Sequence, residues 1–351
     1  MKPLYVGRPN LPDKRVFLQY VEGIWERNWL TNDGPLVQQF EQEVSDLLGV
    51  RNVIAVSNAT VGLELSIRAL ELSGEVIVPS FTFIATAHVL ALAGLKPVFC
   101  DIDPNTWCID PNKVASLITD RTSAILGVHL FGHPCDSVGL DASGLPIFYD
   151  AAHAFNCSGV GYLGELEVFS FHATKFINCF EGGAITTNND ELAAELRHLR
   201  NFGFTGLDEV SSIGTNAKMS EIHAAMGLAS LRTLEVILER NRKNYKEYAL
   251  LLRDVPYLFL RPPSDNMQYI VLEVNLDYRE EVCEHLWKHK VYARRYFYPG
   301  CHKAVPYERE EHTSLEVTER ACASVLCLPT GLAVTPGDVS YVCDLIVEVL
   351  K

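Results

Sequence analysis

The chain has 351 residues, 48% of them hydrophobic, with a formal net charge of −14 and a pI near 5.2. That is apolar material for one large core or two unequal ones; it excludes a broad nucleic-acid-binding face, which needs a basic surface, and the lack of any run of about 18 uncharged apolar residues speaks against a membrane span. Ten cysteines scattered through apolar runs such as "PVFCD" and "VLCLP" read as buried, reduced thiols of a cytoplasmic protein, and the opening "MKPLYVGRPNLPDKRV" lacks an apolar signal-peptide core.

From residue 52 to about 190 the pattern alternates. Strand-like runs are "NVIAVSN", "EVIVPS", "KPVFCDID", "SAILGVHLFG", "PIFYDAA", "EVFSFHA" and "GAITTN". Helix-like segments, "TVGLELSIRALEL", "FIATAHVLALAG" and "PNKVASLI", separate the first four. Such alternation predicts an α/β domain whose mostly parallel sheet is covered on both faces. The last two runs are joined by a loop too short for a helix, so they either sit apart or pair antiparallel. From about 190 the pattern turns helical. "SEIHAAMGLASLRTLEVILERNRKNYKEYALLLRDV" keeps a period near 3.6 and is long enough to connect two domains. Shorter mixed elements follow: "QYIVLEV", a helix through "YREEVCEHLWKHK", then "VYARRYFYP". The predicted boundary puts residues 1–235 in a large domain and 236–351 in a smaller α+β domain.

Two stretches imitate functional motifs. "GVGYLG" (Gly159 to Gly164) fits a Gly-x-Gly-x-x-Gly pattern, but it leads into a strand rather than opening a helix, so it reads as a loop. His129, His133 and Cys135 in "HLFGHPC" have a spacing compatible with a metal, yet no second ligand cluster stands nearby. They read as a strand end and turn, and no metal is expected. Cys322 and Cys327 read as a buried helix-to-strand segment.

Lys175, in "FSFHATKFINCFEGGAI", stands where an apolar strand leaves the core. Desolvation lowers a lysine's pKa, and a lysine poised nearer neutrality is a nucleophile able to form a Schiff base. That chemistry suggests pyridoxal 5'-phosphate (PLP), which also needs an acid for its pyridine nitrogen and a phosphate site. Asp150 ends the run "PIFYD", at the strand edge where open α/β sheets bind ligands. Asn58, Ala59 and Thr60 open a helix, where free N–H groups face an anion. Phe83 follows another strand end and can stack on a ring. Each signal alone has an ordinary structural reading; their order along one sheet edge gives them weight.

These segments resemble the sugar-nucleotide aminotransferases of the DegT/DnrJ/EryC1/StrS family over nearly the whole chain. "NWLTNDGPLVQQFEQEVSDLLGV", "SNATVGLELSIRAL", "VPSFTFIATAHVLALAGLKPVFCDID", "DAAHAF", "FSFHATKFINCFEGGAI" and "GTNAKMSEIHAAMG" carry the resemblance. It implies the aspartate-aminotransferase-like fold type I, with a large, mostly parallel seven-stranded sheet domain and a smaller C-terminal one. It implies catalytic roles for Lys175, as Schiff-base lysine and proton shuttle, and for Asp150, as partner of the pyridine nitrogen. It places His153 near the ring's 3-hydroxyl, and Ala59, Thr60 and Ser170 on the phosphate. Asn216 would reach the cofactor phosphate of a second subunit, which makes a homodimer with shared active sites the expectation. Ala217 and Lys218 stand where the family commonly has an aromatic and an arginine. Glu181, Gly182 and Gly183 read as shaping the turn after the lysine. "ARRYFYPGCH" clusters Arg294, Arg295, Tyr296, Tyr298 and His302; the resemblance implies substrate contacts from Tyr296 and His302, and a substrate mouth at Trp29 and Thr31.

The implied reaction moves an amino group from L-glutamate to a keto-sugar nucleotide, at C4 of a dTDP-4-keto-6-deoxyhexose. A C3-keto sugar and a UDP or GDP carrier are the alternatives. Two other classes compete: a pyridoxamine-dependent sugar dehydratase, against which Lys175 argues because such relatives carry histidine there, and a non-catalytic PLP-binding regulator.

Overall fold

The computed structural model describes residues 2–351. After a short strand β1 (Leu4–Tyr5) and helices α1 (Lys14–Arg27) and α2 (Pro35–Leu48), the chain builds a seven-stranded sheet. Its strands are β2 (Asn52–Val56), β3 (Glu75–Pro79), β4 (Lys96–Cys100), β5 (Thr122–Val128), β6 (Ile147–Asp150), β7 (Leu166–Ser170) and β8 (Gly183–Thr187). They lie in the order β2-β8-β7-β6-β5-β3-β4. The pairs from β4 through β7 are parallel, whereas β8 is antiparallel to both β7 and β2. The two runs without a helix between them therefore pair antiparallel.

Every residue of β3, β6 and β8 is buried, which is why these strands read as unbroken apolar runs. On one face, α3 (Ala59–Ala69), α4 (Ile84–Leu92) and, past the short α5 (Pro111–Val114) and α6 (Ser137–Asp141), α7 (Asp190–Arg200) cover the sheet through Leu63, Val89, Leu90 and Leu196. On the other, α2 and α8 (Glu221–Leu231) bring Phe40, Val44, Ala224 and Leu228. The carboxyl ends of β2, β3, β6 and β7 share one edge of the sheet, where ligands of open α/β sheets bind.

The remaining chain forms α9 (Leu234–Leu252), β9 (Leu258–Leu260), β10 (Ile270–Val274), α10 (Arg279–Lys288), β11 (Val291–Tyr292), α11 (Glu316–Ser324), β12 (Val325–Leu328) and α12 (Pro336–Leu350). Its small antiparallel sheet, β12-β10-β9, is covered by α10 and α12 through Val282, Leu286, Val339 and Val342. Cys322 and Cys327 lie in α11 and β12, and all ten cysteines are free and buried. Among the described residues no helix is long and apolar enough to cross a membrane.

Two expectations need correction. The helical run beginning at Ser220 is two helices, broken at Arg232–Thr233. The Thr233 hydroxyl donates to the Ser230 carbonyl at 2.7 Å, a local bond that competes with the helical ladder. The connector is α9 alone: Ile237 and Leu238 sit in the large core, Tyr248 and Leu252 in the small one. The first residues also leave the large domain. β1 pairs in parallel with β11, Leu4 opposite Val291, and Leu4 is buried in the small core.

Candidate active site

The lysine loop starts where β7 ends. The Lys175 N–H closes a turn on the His172 carbonyl at 2.8 Å, and the Thr174 hydroxyl lies 2.8 Å from the His172 Nδ1. Phe176 and Ile177, both buried, anchor the next two positions in the core. Gly182 and Gly183 serve close approach rather than a left-handed turn. A Cβ on Gly182 would lie 2.7 Å from the Cys179 Cβ, and one on Gly183 would lie 2.7 Å from the Ala59 nitrogen. Phe180 takes the left-handed conformation instead, at φ 63°. Glu181 is solvent-facing, 3.5 Å from the His172 ring.

The Lys175 Nζ lies 3.5 Å from the Tyr269 hydroxyl. Burial pulls its ammonium down to about 8, with the Asp150 carboxylate pushing the other way. Asp150 ends β6; its carboxylate accepts from the Thr86 hydroxyl at 2.8 Å and from the Ala152 N–H at 3.0 Å. The carboxylate is thus fixed in direction before any ligand arrives. His153 is 7% exposed, and burial, then the Lys175 charge, holds its imidazole well below the usual range. It is therefore neutral at pH 7. Its ring stacks on Phe131 and Phe297, and its Nδ1 is buried with no hydrogen-bond partner. Behind this edge, the His129 N–H donates to the Asp150 carbonyl at 3.0 Å, while the ring Nδ1 accepts from the Cys135 N–H at 3.0 Å. His129 and Cys135 thus form the strand end and turn read from the sequence, and they brace Asp150 from the main chain.

At α3, the Asn58 side chain accepts from the Val61 N–H at 2.9 Å. The preceding helical N–H groups, at Ala59 and Thr60, are geometrically unable to bond within the helix. Val56 and Ser170 both pair with Gly183, so Ser170 sits one strand from this helix start. The Ala217 carbonyl accepts the Ser57 N–H at 2.8 Å; Asn216 next to it is exposed.

A cleft of about 530 Å³ opens beside these groups, lined by Phe83, Trp287, Arg294, Tyr296 and Tyr298 among others. Tyr296 stands edge-on to Tyr269, ring centres 5.7 Å apart, with the Arg294 guanidinium over its ring. Arg295 is committed elsewhere, bonded to both oxygens of Glu280 at 2.7 and 2.9 Å. His302 does not line the cleft. It is 2% exposed, its Nδ1 lies 2.6 Å from the Ser80 hydroxyl, and its Nε2 lies 3.5 Å from Glu319. It braces the segment before Phe83, which corrects the expected substrate contact. Trp29 and Thr31 are exposed and bond each other, indole N–H to carbonyl at 2.6 Å, also outside the cleft lining. Thr86 and Tyr269 escaped the sequence reading: one looks like an ordinary helix residue and the other like an aromatic entering a strand.

The lysine, the aimed carboxylate, the unpartnered imidazole nitrogen and the open helix start fit pyridoxal phosphate. The family model described as the DegT/DnrJ/EryC1/StrS aminotransferase family matches residues 13–347.

The chain belongs to the DegT/DnrJ/EryC1/StrS aminotransferase family.

Among curated relatives, it is 37% identical over 364 residues to the dTDP-4-amino-4,6-dideoxy-D-glucose transaminase of Shigella dysenteriae, covering 99% of each chain. Among solved structures it superposes with a TM-score of 0.96 on DesI, crystallised in the presence of its TDP-sugar product, at 46% identity and covering 99% of this chain and 93% of that one. NtdA of Bacillus subtilis, with its bound cofactor PMP, superposes with a TM-score of 0.86 at 27% identity, covering 96% and 80%. This member of the DegT/DnrJ/EryC1/StrS family is a PLP-dependent aminotransferase of fold type I.

The lysine has a consequence for the cofactor-free protein. Folded Lys175 releases its proton near 8, whereas the unfolded side chain keeps it to the ordinary value of 10.5. Between those limits the unfolded chain binds more protons, so stability rises with pH across that window. Below it both forms are protonated and the contribution is flat. Urea unfolding of the cofactor-free protein from pH 7 to 10, with Lys175→Met alongside, checks this: wild type should gain on the variant as pH rises. A constant difference would refute it.

Proposed function

We propose that the chain transfers an amino group from L-glutamate to the C4 keto carbon of a dTDP-4-keto-6-deoxyhexose, giving an amino-sugar nucleotide and 2-oxoglutarate. The observation that carries this reading is the similarity to DesI, crystallised in the presence of its TDP-sugar product, and to the Shigella dTDP-sugar transaminase, in a chain whose lysine reaches, through Tyr269, the Tyr296 wall of an aromatic cleft carrying the Arg294 cation. Flat aromatic walls suit a base and a sugar ring, and a guanidinium suits a diphosphate.

The residues divide the work as follows. Ala59 and Thr60 at the start of α3, with Ser170, would hold the phosphate; Phe83 would cover the ring, His153 would accept from its 3-hydroxyl, and Asp150 would keep its nitrogen protonated. When bound, pyridoxal phosphate supplies the carbonyl that takes up and returns the amino group and the charge-withdrawing ring that makes the donor's α-hydrogen acidic. Lys175, lowered to about 8, is matched to proton transfer near neutral pH. Its Nζ takes the proton from the donor's α-carbon and, in the second half of the cycle, delivers one to C4 of the sugar. Tyr269, whose hydroxyl burial holds well above its usual range, stays protonated beside that amine and steadies it. Trp29, Thr31 and Asn216 are exposed, and the apolar Leu207 and Ile213 in the segment before Asn216 are 97% and 87% exposed. Exposed apolar residues of this kind suit coverage by a second copy, and a homodimer with Asn216 at the partner's phosphate is part of this reading.

A panel of keto-sugar nucleotides with glutamate tests it, scored by mass of the amino-sugar product. The dTDP-4-keto-6-deoxy sugar should exceed C3-keto sugars and UDP or GDP carriers by about tenfold or more in kcat/KM. Preference for any of the others would replace this assignment.

A further inference from the structure

We propose that Arg8 and Gln268 form a subsite that holds a carboxylate of the amino donor; the inference rests on the aminotransfer reading above and names a part of that site. Gln268 stands just before β10, 7% exposed, and its Nε2 is buried with no hydrogen-bond partner. Native proteins seldom bury a donor unanswered. The Asn241 and Asn10 side chains nearby are engaged with other groups, which leaves the Tyr269 hydroxyl, on the same chamber wall, as the polar group closest to sharing it. The Asn241 amide donates to the Met267 carbonyl at 3.0 Å and accepts from the Thr330 hydroxyl at 2.9 Å. The Asn10 side-chain oxygen accepts from the Leu332 N–H at 2.9 Å.

Gln268 lines a chamber of about 10 Å³ shared with Arg8, Asn10, Thr174 and Tyr269. That volume admits one oxygen-sized group. The chamber adjoins the reacting amine, since the Tyr269 hydroxyl on its wall is 3.5 Å from the Lys175 Nζ. Arg8 is brought to its rim by Gly7. A Cβ at Gly7 would come 3.1 Å from the Thr174 Cβ, and φ there is +73°, so the N-terminal segment lies directly on the lysine loop. No aspartate or glutamate lines the chamber.

A guanidinium and one neutral amide donor, with space for one oxygen, match a carboxylate and not a phosphate, whose three terminal oxygens need more room and more donors. In a chain of net charge −14, an anionic donor approaches against the overall field, so a local cation free of acidic neighbours is what can capture it. Arg8 would meet one oxygen at the rim while Gln268 takes the other inside, leaving the donor's amino-bearing carbon on the Lys175 side.

The test follows the two half-reactions of the holoenzyme separately, by the absorbance of the cofactor. Arg8→Ala and Gln268→Leu should each raise the glutamate concentration for half-maximal rate by about tenfold or more, while the half-reaction with the amino-sugar nucleotide changes less than about twofold. Calorimetric titration of glutarate, a dicarboxylate that cannot react, should show binding to wild type and weaker binding to both variants. Arg8 is exposed, so its variant folds and keeps the experiment decisive if Gln268→Leu does not. Unchanged glutamate dependence in Arg8→Ala, equal losses in both half-reactions, or a wild type that takes no amino group from glutamate overturns the subsite. An intact glutamate half-reaction with every keto-sugar nucleotide refused would remove the sugar assignment and leave the subsite standing.

Discussion

Lys175→Ala is expected to lose amino transfer by about 10⁴-fold or more, since one substitution removes both the covalent attachment and the general base. The fold should survive. The neighbours that anchor the loop, Phe176 and Ile177, are untouched, and the Thr174–His172 contact that shapes the turn does not involve the lysine side chain. Removing an amine that burial has already pulled down to about 8 relieves a desolvation cost while leaving a small gap, and the two effects oppose each other. Unfolding free energies of the cofactor-free proteins from denaturant titration near pH 7 should then differ by no more than about 1–2 kcal/mol. A small primary amine added to the variant should return part of the lost proton transfer. Full turnover by Lys175→Ala would remove the residue from the mechanism, and collapse of the fold would show that its role is structural.

Asp150→Asn is the second large effect. Asparagine keeps the shape: its single carbonyl oxygen can accept from the Ala152 N–H, while its amide nitrogen faces the Thr86 hydroxyl, which must turn to accept; these are the two contacts that aim the carboxylate. What disappears is the negative charge. A ring nitrogen without an anionic partner loses its proton near neutrality and withdraws less electron density from the reacting carbon, so kcat for the glutamate half-reaction should fall about 10³-fold, or about 4 kcal/mol of barrier. A coenzyme analogue methylated on the ring nitrogen carries the positive charge permanently and should recover part of the loss. If Asp150→Asn turns over normally, or if the methylated analogue recovers nothing, the carboxylate does not act on the ring nitrogen. Thr86→Val gives a graded comparison: the charge stays, the aim loosens, and a smaller loss is expected.

The sheet was legible because strands buried on both faces leave continuous apolar runs, and all seven runs named from sequence correspond to strands. Their order was legible only in part: nothing local in "GAITTN" says that β8 inserts antiparallel between β2 and β7. The α8–α9 break left no mark, since neither glycine nor proline stands at Arg232–Thr233; a threonine hydroxyl bonding backward is silent in a periodicity reading. Lys175 and Asp150 were readable because polar residues at apolar strand ends demand an explanation, whereas His153, in the loop after β6, was named only through the resemblance. Tyr269 and Gln268 were not, because an aromatic at the start of "YIVLEV" satisfies the strand pattern by itself. His302 was over-read for the opposite reason. Its neighbours Tyr296 and Tyr298 line the cleft, and sequence proximity conceals that its own ring turns inward to Ser80 and Glu319.

The pairing of Leu4 with Val291 has a consequence in time. On the ribosome the seven strands of the large sheet have all emerged once residue 187 is out, and domains generally fold as units during synthesis, N-terminal first. Yet the first strand to be made finds its partner only after nearly three hundred residues have been added. The large domain can close while the leading segment still hangs loose, carrying Gly7 and Arg8 with it. Translation must pass Tyr292 before that segment can be drawn down onto the lysine loop, so a nascent chain halted short of that point is a folded sheet whose site still lacks its N-terminal wall.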